Sequence, residues 1–517
     1  MGKKKRIAVN MIAQFLAFVI NIAINFFLTP YITKNVGKEV YGFVNLAFQT
    51  TGYVTIFTSA LNAMVGRYIT INLSKKDYTS ANMYFSSVIV ANIILAVLFA
   101  IPSAFIILFL DSIIKIPINY VWDVKVLWAF IFIDFFVSLI TNSFGVATYA
   151  SDRLDLSAKR NTERTFLRAA ILIVMFALMP AKVWYVGFTQ FVCGFFIVAT
   201  NIYYTIKLLP QLKFDKFLVK WKAITDLIKV GIWNSFQQLT SILINGCDTL
   251  ITNIYIGATE MTLMSFAKTI PNYLISIIGI VSGSFGPQMT MLYAKGDMKK
   301  FTEYVNSAIK VCGFICSIPI LGFIAFGTNF FSLWLPTLTT GEVNTVQILS
   351  IMILAQTVFD VYIYPLYTVN SITTKLKIPV LVSFGIGVAN IIGSIALCVY
   401  TDLGVYAIQI VSSVLLTARV FFFAPIYAAH ILEQKWWTFY KPLFRGMFSS
   451  IIVLSIYYII ACNILINSWM QLIAVGIICG IIGYAINYLV VLNKEERIMV
   501  KKIVKKIKKN KETSADN

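Results

Sequence analysis

Five charged side chains lie well inside long apolar runs of this 517-residue chain: Asp134, Asp248, Lys268, Asp360 and Arg419. On insertion scales each costs about 3 kcal/mol when it faces lipid, so all five should face protein, water or one another. A salt bridge between helices would satisfy any one of them. Five together, accompanied by stripes of amides, favour a hydrated cavity. Asn10, Gln14, Asn21 and Asn25 fall within about 60° of one another on a helix turning 100° per residue. Asn234, Gln238 and Asn245 repeat the spacing of the first three. On a regular helix Asp248 extends the second stripe, as a candidate proton or sodium site or as the partner of a cation. Arg and Lys in such a cavity imply an anion, and the guanidinium fork suits phosphate. Arg67, in GRYITI, is read equally as a cavity residue and as a snorkelling side chain; Arg168, Lys229 and Lys310 are read as snorkellers. Tyr362, Tyr364 and Tyr367 flank Asp360 as flat surfaces for sugar rings or as ordinary aromatic packing.

The elements that must hold these residues are membrane helices. Hydrophobic residues make up 59% of the chain and the mean hydropathy is +0.80, against about half apolar in ordinary soluble domains. The reading is an all-α polytopic membrane protein with fourteen spans, the first at 7–33 and the last at 469–492. The first run follows KKKR but is too long for a signal peptide, so it counts as a span. Of the 43 basic residues, 33 fall in the N-terminus, the even-numbered loops and the C-terminal tail, and only five in the other loops. That bias predicts an inner-membrane, multi-pass protein with both termini in the cytoplasm. It also accounts for the net charge of +21 without nucleic acid as a partner.

The chain repeats itself. At an offset of 220, Gly37, Tyr53, Gly66, Lys75, Asp77 and Tyr84 meet Gly257, Tyr273, Gly286, Lys295, Asp297 and Tyr304, and Asp134 later meets Asp360. A duplication of six spans follows, with both copies entering the membrane from the same side. The expected organisation is an N-terminal six-helix bundle over 1–209, a cytoplasmic linker over 210–226 and a second bundle over 227–432. Two additional helices follow over 433–492, then a basic tail over 493–517. A parallel pair of bundles is a transporter architecture, with substrate bound between repeats near mid-membrane. The repeated carboxylates are shared scaffold, whereas Lys268 and Arg419 have no basic counterpart and are where a particular substrate would be read.

Other chemistry finds no footing. There is no G-x4-G-K-[ST] loop, H-E-x-x-H or G-x-S-x-G element, and no loop large enough for a catalytic domain, so an enzyme is not expected. All seven Cys lie in apolar runs and the single His is His430, so the Cys are read as small buried hydrophobes. No cofactor is expected beyond a coupled proton or sodium ion. Gly476-x3-Gly480 in the last span reads as a close-packing pattern. The tail NKEERIMVKKIVKKIKKNK reads as an amphipathic helix on anionic lipid.

The amide-bearing first span, the Pro30-x6-Gly37-x3-Tyr41-Gly42 turn, Arg67 and the Lys75-x-Asp77 loop resemble the polysaccharide transporter family of the MOP superfamily, which includes O-antigen and capsule-precursor flippases. The resemblance implies a flippase moving an undecaprenyl-diphosphate-linked oligosaccharide to the outer leaflet by alternating access and working beside other polysaccharide assembly proteins. It assigns Arg67, Lys268 and Arg419 to the diphosphate or acidic sugars, and Asn10, Gln14, Asn21, Asn25, Gln238 and Asn245 to sugar hydroxyls. Asp134, Asp248 and Asp360 would serve coupling or charge pairing, and the last two spans a groove for the lipid tail. The rivals are a MATE-like multidrug or cation antiporter, a lipid II flippase and a non-transporting scaffold for glycan assembly.

Overall fold

A computed structural model describes residues 3–492 and Arg497; the amphipathic reading of the tail falls outside them. The described residues fold as fourteen long helices and short helical pieces, without strands. The first six are α1 (Lys3–Val36), α2 (Lys38–Ser74), α3 (Tyr78–Leu108), α4 (Val121–Thr141), α5 (Leu154–Leu178) and α6 (Trp184–Leu208). Their repeat counterparts are α7 (Trp221–Ser241), α8 (Ala258–Gly283), α9 (Met298–Trp334), α10 (Thr340–Ile372), α11 (Lys377–Tyr400) and α12 (Val405–Ala418). Two more follow, α13 (Tyr440–Asn463) and α14 (Trp469–Val490). Counted with their short continuations, eleven of the fourteen are long and apolar enough to cross a membrane. The other three, α2, α5 and α7, were expected as spans too. They fall short because they carry polar residues along their length, and two of them build the site described below.

Duplication is visible in the turns. Asp77 and Asp297 cap α3 and α9, accepting from the backbone N–H of Ser80 at 3.0 Å and of Lys300 at 3.1 Å. Each cap follows a left-handed residue, Lys76 at φ 60° and Gly296 at φ 73°. The turn after the fourth helix repeats as well, with Asp152 at φ 52° and Thr374 at φ 56°. Asp77 is exposed and Asp297 partly so, and hydrogen bonds to the charged form hold their carboxyls below the usual range. For Asp77 the largest cause is the Ser80 N–H, and for Asp297 the side chain of Lys300.

Grouped by internal contact, the chain forms two units, Met1–Ser265 with Gly387–Ile408, and Phe266–Ile386 with Gln409–Asn517. In the first, α7 is held to α2 by Ser235, whose hydroxyl meets Ser59 Oγ and the Ala60 N–H, each at 3.0 Å. Amides fasten the same unit: Asn62 on α2 and Asn92 on α3 exchange bonds of 3.1 and 3.0 Å, and Asn142 donates to Asn62 at 3.1 Å.

The second unit is tied together by prolines. A helical proline leaves the carbonyl four residues earlier without its N–H, and in hydrocarbon that oxygen must find a donor within the protein. Pro271 frees Ala267 O, which accepts from Ser350 Oγ at 2.9 Å. Pro319 frees Ile315 O, which accepts from Tyr484 Oη at 3.0 Å. Pro425 frees Phe421 O, which accepts from Tyr440 Oη at 2.6 Å. The donors come from α10, α14 and α13, so each bond locks two helices. Around them, the Tyr362 ring of α10 lies where Gly313 of α9 and Gly446 of α13 have no side chain, and its hydroxyl meets Ser450 Oγ at 3.0 Å.

Two measurements check this packing. Tyr484→Phe should lower stability by about 1 kcal/mol in the wild-type background and by almost nothing in Pro319→Ala, where Ile315 O regains a backbone donor. Gly446→Ala, which drives a methyl into Tyr362, should cost about 1–3 kcal/mol, whereas Gly476→Ala, facing open space, should be neutral. Both are read by thermal unfolding in detergent.

Candidate functional site

In the first unit Asp134 is carried into the bundle by α4. It is buried, and its Oδ2 accepts from Gln190 Nε2 of α6 at 3.0 Å. Arg164 of α5 stands 3.9 Å from the same oxygen. The approach of α4 to α6 depends on Gly194, because a Cβ there would collide with Asp134 Oδ1. Oδ1 itself has no hydrogen-bond partner among the described residues.

Arg164 also lines a polar cavity of about 430 Å³ between α1 and α5, with Gln14 and Asn21 on one wall and Ser157, Asn161 and Thr165 on the other. Asn21 donates to Thr165 Oγ1 at 3.1 Å, and Asn25 steadies Asn21 by donating to its Oδ1 at 3.0 Å. The first amide stripe therefore divides its work. Asn10 is buried away from this cavity, donating to Asp152 and accepting from the Asp155 N–H at 3.0 Å, so that it ties α1 to the turn before α5.

The second stripe is bent by its own backbone. Residues Ile242–Gly246 form a π turn, whose i→i+5 bonds slow the rotation of the helix. A regular helix would put Asp248 beside Asn245. The structure leaves Asn245 exposed and buries Asp248 at the start of the next segment, Asp248–Tyr255. Tyr53 of α2 reaches the end of the π turn, its hydroxyl donating to Gly246 O at 2.8 Å. Gln238 is half-buried on α7.

In the second unit Asp360 of α10 accepts from Tyr367 Oη at 2.8 Å. Arg419 interacts electrostatically with Asp360, lies with Cζ 5.8 Å from the Tyr367 ring centre and donates to Tyr367 Oη at 3.4 Å. It also donates to Ser383 Oγ of α11 at 3.3 Å, while its Nε has no acceptor among the described residues. Arg419 opens a second π turn, Arg419–Phe423, which leads into the helix containing Pro425. Asp134 is thus met by side chains of the fifth and sixth helices of its copy, and Asp360 by Tyr367 of its own helix and by Arg419 at the end of the sixth. The arginine comes from the fifth helix in the first copy and from the sixth in the second.

Lys268 is half-buried on α8 and has polar or electrostatic partners of its own. Arg67 is exposed on α2 and joins neither cluster. Arg164 and its neighbour Arg160 escaped sequence reasoning because they precede the apolar run and count as loop. The signal was present as Arg160-x3-Arg164-x3-Arg168, a basic strip running into that run.

An apolar groove of about 340 Å³ lies among α9, α13 and α14, with Pro319, Phe326, Tyr457, Leu472, Gly476 and Gly480 among its walls. Here Gly476-x3-Gly480 corrects the expectation of close packing. A Cβ at either position would meet nothing within 4 Å, so the two glycines widen the groove.

The helical fold is similar to that of solved transporters of the MOP superfamily. The solved structure entitled lipid II flippase MurJ, inward closed conformation, superimposes with a TM-score of 0.66 at 14% identity, covering 93% of this chain and 98% of that one. An inward-facing multidrug resistance MATE family transporter of the MOP superfamily gives 0.64 at 14% identity, covering 83% and 98%. The family model described as polysaccharide biosynthesis protein matches residues 7–292, more than half of the chain, and the chain belongs to that family. A curated relative, the uncharacterized membrane protein EpsK of Bacillus subtilis strain 168, is 24% identical over 503 residues, 97% of this chain and 99% of the relative.

The Arg419 cluster can be dissected. Tyr367→Phe removes the hydroxyl that Asp360 accepts and Arg419 contacts. Combined with Arg419→Lys in a double-mutant cycle of unfolding free energies, it should show a coupling of about 1 kcal/mol or more; additive effects would mean that the contact is incidental.

Proposed function

We propose that this protein is a flippase that carries an undecaprenyl-diphosphate-linked oligosaccharide from the cytoplasmic to the outer leaflet of the inner membrane by alternating access. The observation that carries the reading is the pairing, within one unit, of a braced cation and an apolar groove. On α10, Asp360 and Tyr367 hold Arg419, and Tyr362 docks the helix α13 that walls the groove. A polar head bearing phosphate and an isoprenoid tail need those two surfaces, one charged and one dry. Membership of the polysaccharide biosynthesis family supports a glycan head group, and the MOP fold supports a carrier.

In this reading both termini lie in the cytoplasm. Arg419 and Lys268 bind the diphosphate or acidic sugars, and Gln14 and Asn21 of α1 with Gln238 of α7 meet sugar hydroxyls. Asp134, Asp248 and Asp360 supply charge pairing and the route by which protons or sodium couple to transport. Anionic lipid and other polysaccharide assembly proteins are the proposed neighbours. A multidrug or cation antiporter would have little use for Arg419, since an arginine repels the cationic substrate that a carboxylate attracts.

The test is surface glycan in a deletion strain complemented with Arg419→Ala or Lys268→Ala at wild-type expression. Loss of most surface glycan is expected from each. Full glycan from both variants would sink the assignment, and drug sensitivity of the deletion strain with glycan intact would point to the antiporter.

A further inference from the structure

The cavity between α1 and α5 is lined by one cation, Arg164, and the buried Arg160 lies next to its wall residues Ser157 and Asn161 on the same helix. Arg160, Arg164 and Arg168 follow one another at four-residue spacing along α5, a rise of about 6 Å per step. Arg160 is only 7% exposed. Its single hydrogen bond runs from Nη2 to Ser157 Oγ at 3.1 Å, and its Nε and Nη1 find no acceptor among the described residues. Ser157 lines the cavity. Arg164 has a third of its side chain exposed where it lines that cavity and makes no hydrogen bond among the described residues. The carboxylate nearest to it, Asp134, is already engaged by Gln190 and stands back at 3.9 Å. No carboxylate lines the cavity.

Buried arginine donors without acceptors are costly, and the chemistry that satisfies them is an anion with several oxygens. From this geometry we infer that the α1/α5 cavity is a phosphate-binding site, with Arg164 as its principal ligand, Arg160 behind Ser157, and Gln14, Asn21 and Asn161 as flanking hydrogen-bond partners. The volume of about 430 Å³ leaves room for a diphosphate and part of an attached group. The site lies wholly within the first unit and shares no residue with the Arg419 cluster. It rests on the flippase reading only for the source of the phosphate, which is either the diphosphate of a lipid-linked substrate or a free phosphate.

The test uses the full chain in nanodiscs of neutral lipid, titrated with inorganic pyrophosphate and, separately, with farnesyl diphosphate. Wild type should bind pyrophosphate. Arg164→Gln should weaken binding roughly ten- to a hundredfold, the worth of one charge-assisted hydrogen bond, and Arg164→Lys should restore part of it. Asn161→Leu, which leaves the arginines in place, provides a second reading should Arg164→Gln fold poorly, with roughly a tenfold loss expected. Tighter binding of farnesyl diphosphate than pyrophosphate assigns the site to the lipid-linked substrate; equal binding assigns it to free phosphate. Binding that is absent in wild type, or unchanged in Arg164→Gln and Asn161→Leu alike, overturns the inference. Arg419→Ala separates the two proposals. It should abolish surface glycan while leaving pyrophosphate binding at Arg164 intact.

Discussion

Inside hydrocarbon a backbone carbonyl without a donor is a liability, and in the second unit three such carbonyls fix which helix touches which. Ala267, Ile315 and Phe421 lose their helical N–H to Pro271, Pro319 and Pro425, and each is served by a hydroxyl from another helix. The prolines that loosen α8, α9 and the end of α12 thereby become the points at which α10, α14 and α13 attach. Two of the three donors belong to the helices outside the repeat. The C-terminal pair is consequently part of the unit's framework, and the groove beside Pro319 is bounded by the same bonds that hold the pair in place.

Duplication supplied the frame, and divergence supplied the charge. The caps at Asp77 and Asp297 and the left-handed turns at Lys76, Gly296, Asp152 and Thr374 are alike because a helix must stop and restart at the same place in both copies. Asp134 and Asp360 also persist, each facing an arginine and held by one further side-chain donor. The arginine does not persist: Arg164 and Arg419 reach their carboxylates from different helices. A cation can move between helices during evolution at little structural cost provided its carboxylate stays, since what an apolar interior demands is a partner rather than a particular origin for it.

Much of this could be read from the sequence. Fourteen apolar runs became fourteen long helices, and the matched Lys75-x-Asp77 and Lys295-x-Asp297 loops became matched turns. The parts that could not be read share a cause, which is that helical projection assumes a regular helix and a sharp end to each span. The π turn at Ile242–Gly246 parts Asn245 from Asp248, which a wheel places side by side. Arg164 falls just before an apolar run and counts as loop, although α5 is already helical from Leu154 and carries it into the bundle. Gly476-x3-Gly480 marks closeness only where a partner helix lies opposite, and here none comes within 4 Å of either missing Cβ. Asn10 shows the converse: its stripe is a true helical face, but one end of that face meets the Asp152 turn and the middle meets a cavity.

The distances within the arginine clusters bear on how a carrier of anions would work. An arginine locked bidentate to a carboxylate is neutral and binds nothing further, whereas one with no carboxylate nearby is expensive to bury and slow to release an anion. Arg164 lies between these limits. Asp134 stands 3.9 Å away and is held there by Gln190, close enough to offset the charge and too far to consume the donors. Arg419 reaches the same compromise through Tyr367, which donates to Asp360 and so keeps the carboxylate oriented while the guanidinium retains an unused Nε. A second donor that restrains the carboxylate is therefore the common element of both clusters. In the proposed flippase this arrangement would let each arginine take up a phosphate and, once the phosphate departs, fall back on a counter-ion already in place, which is the condition for binding that must be reversible on every cycle.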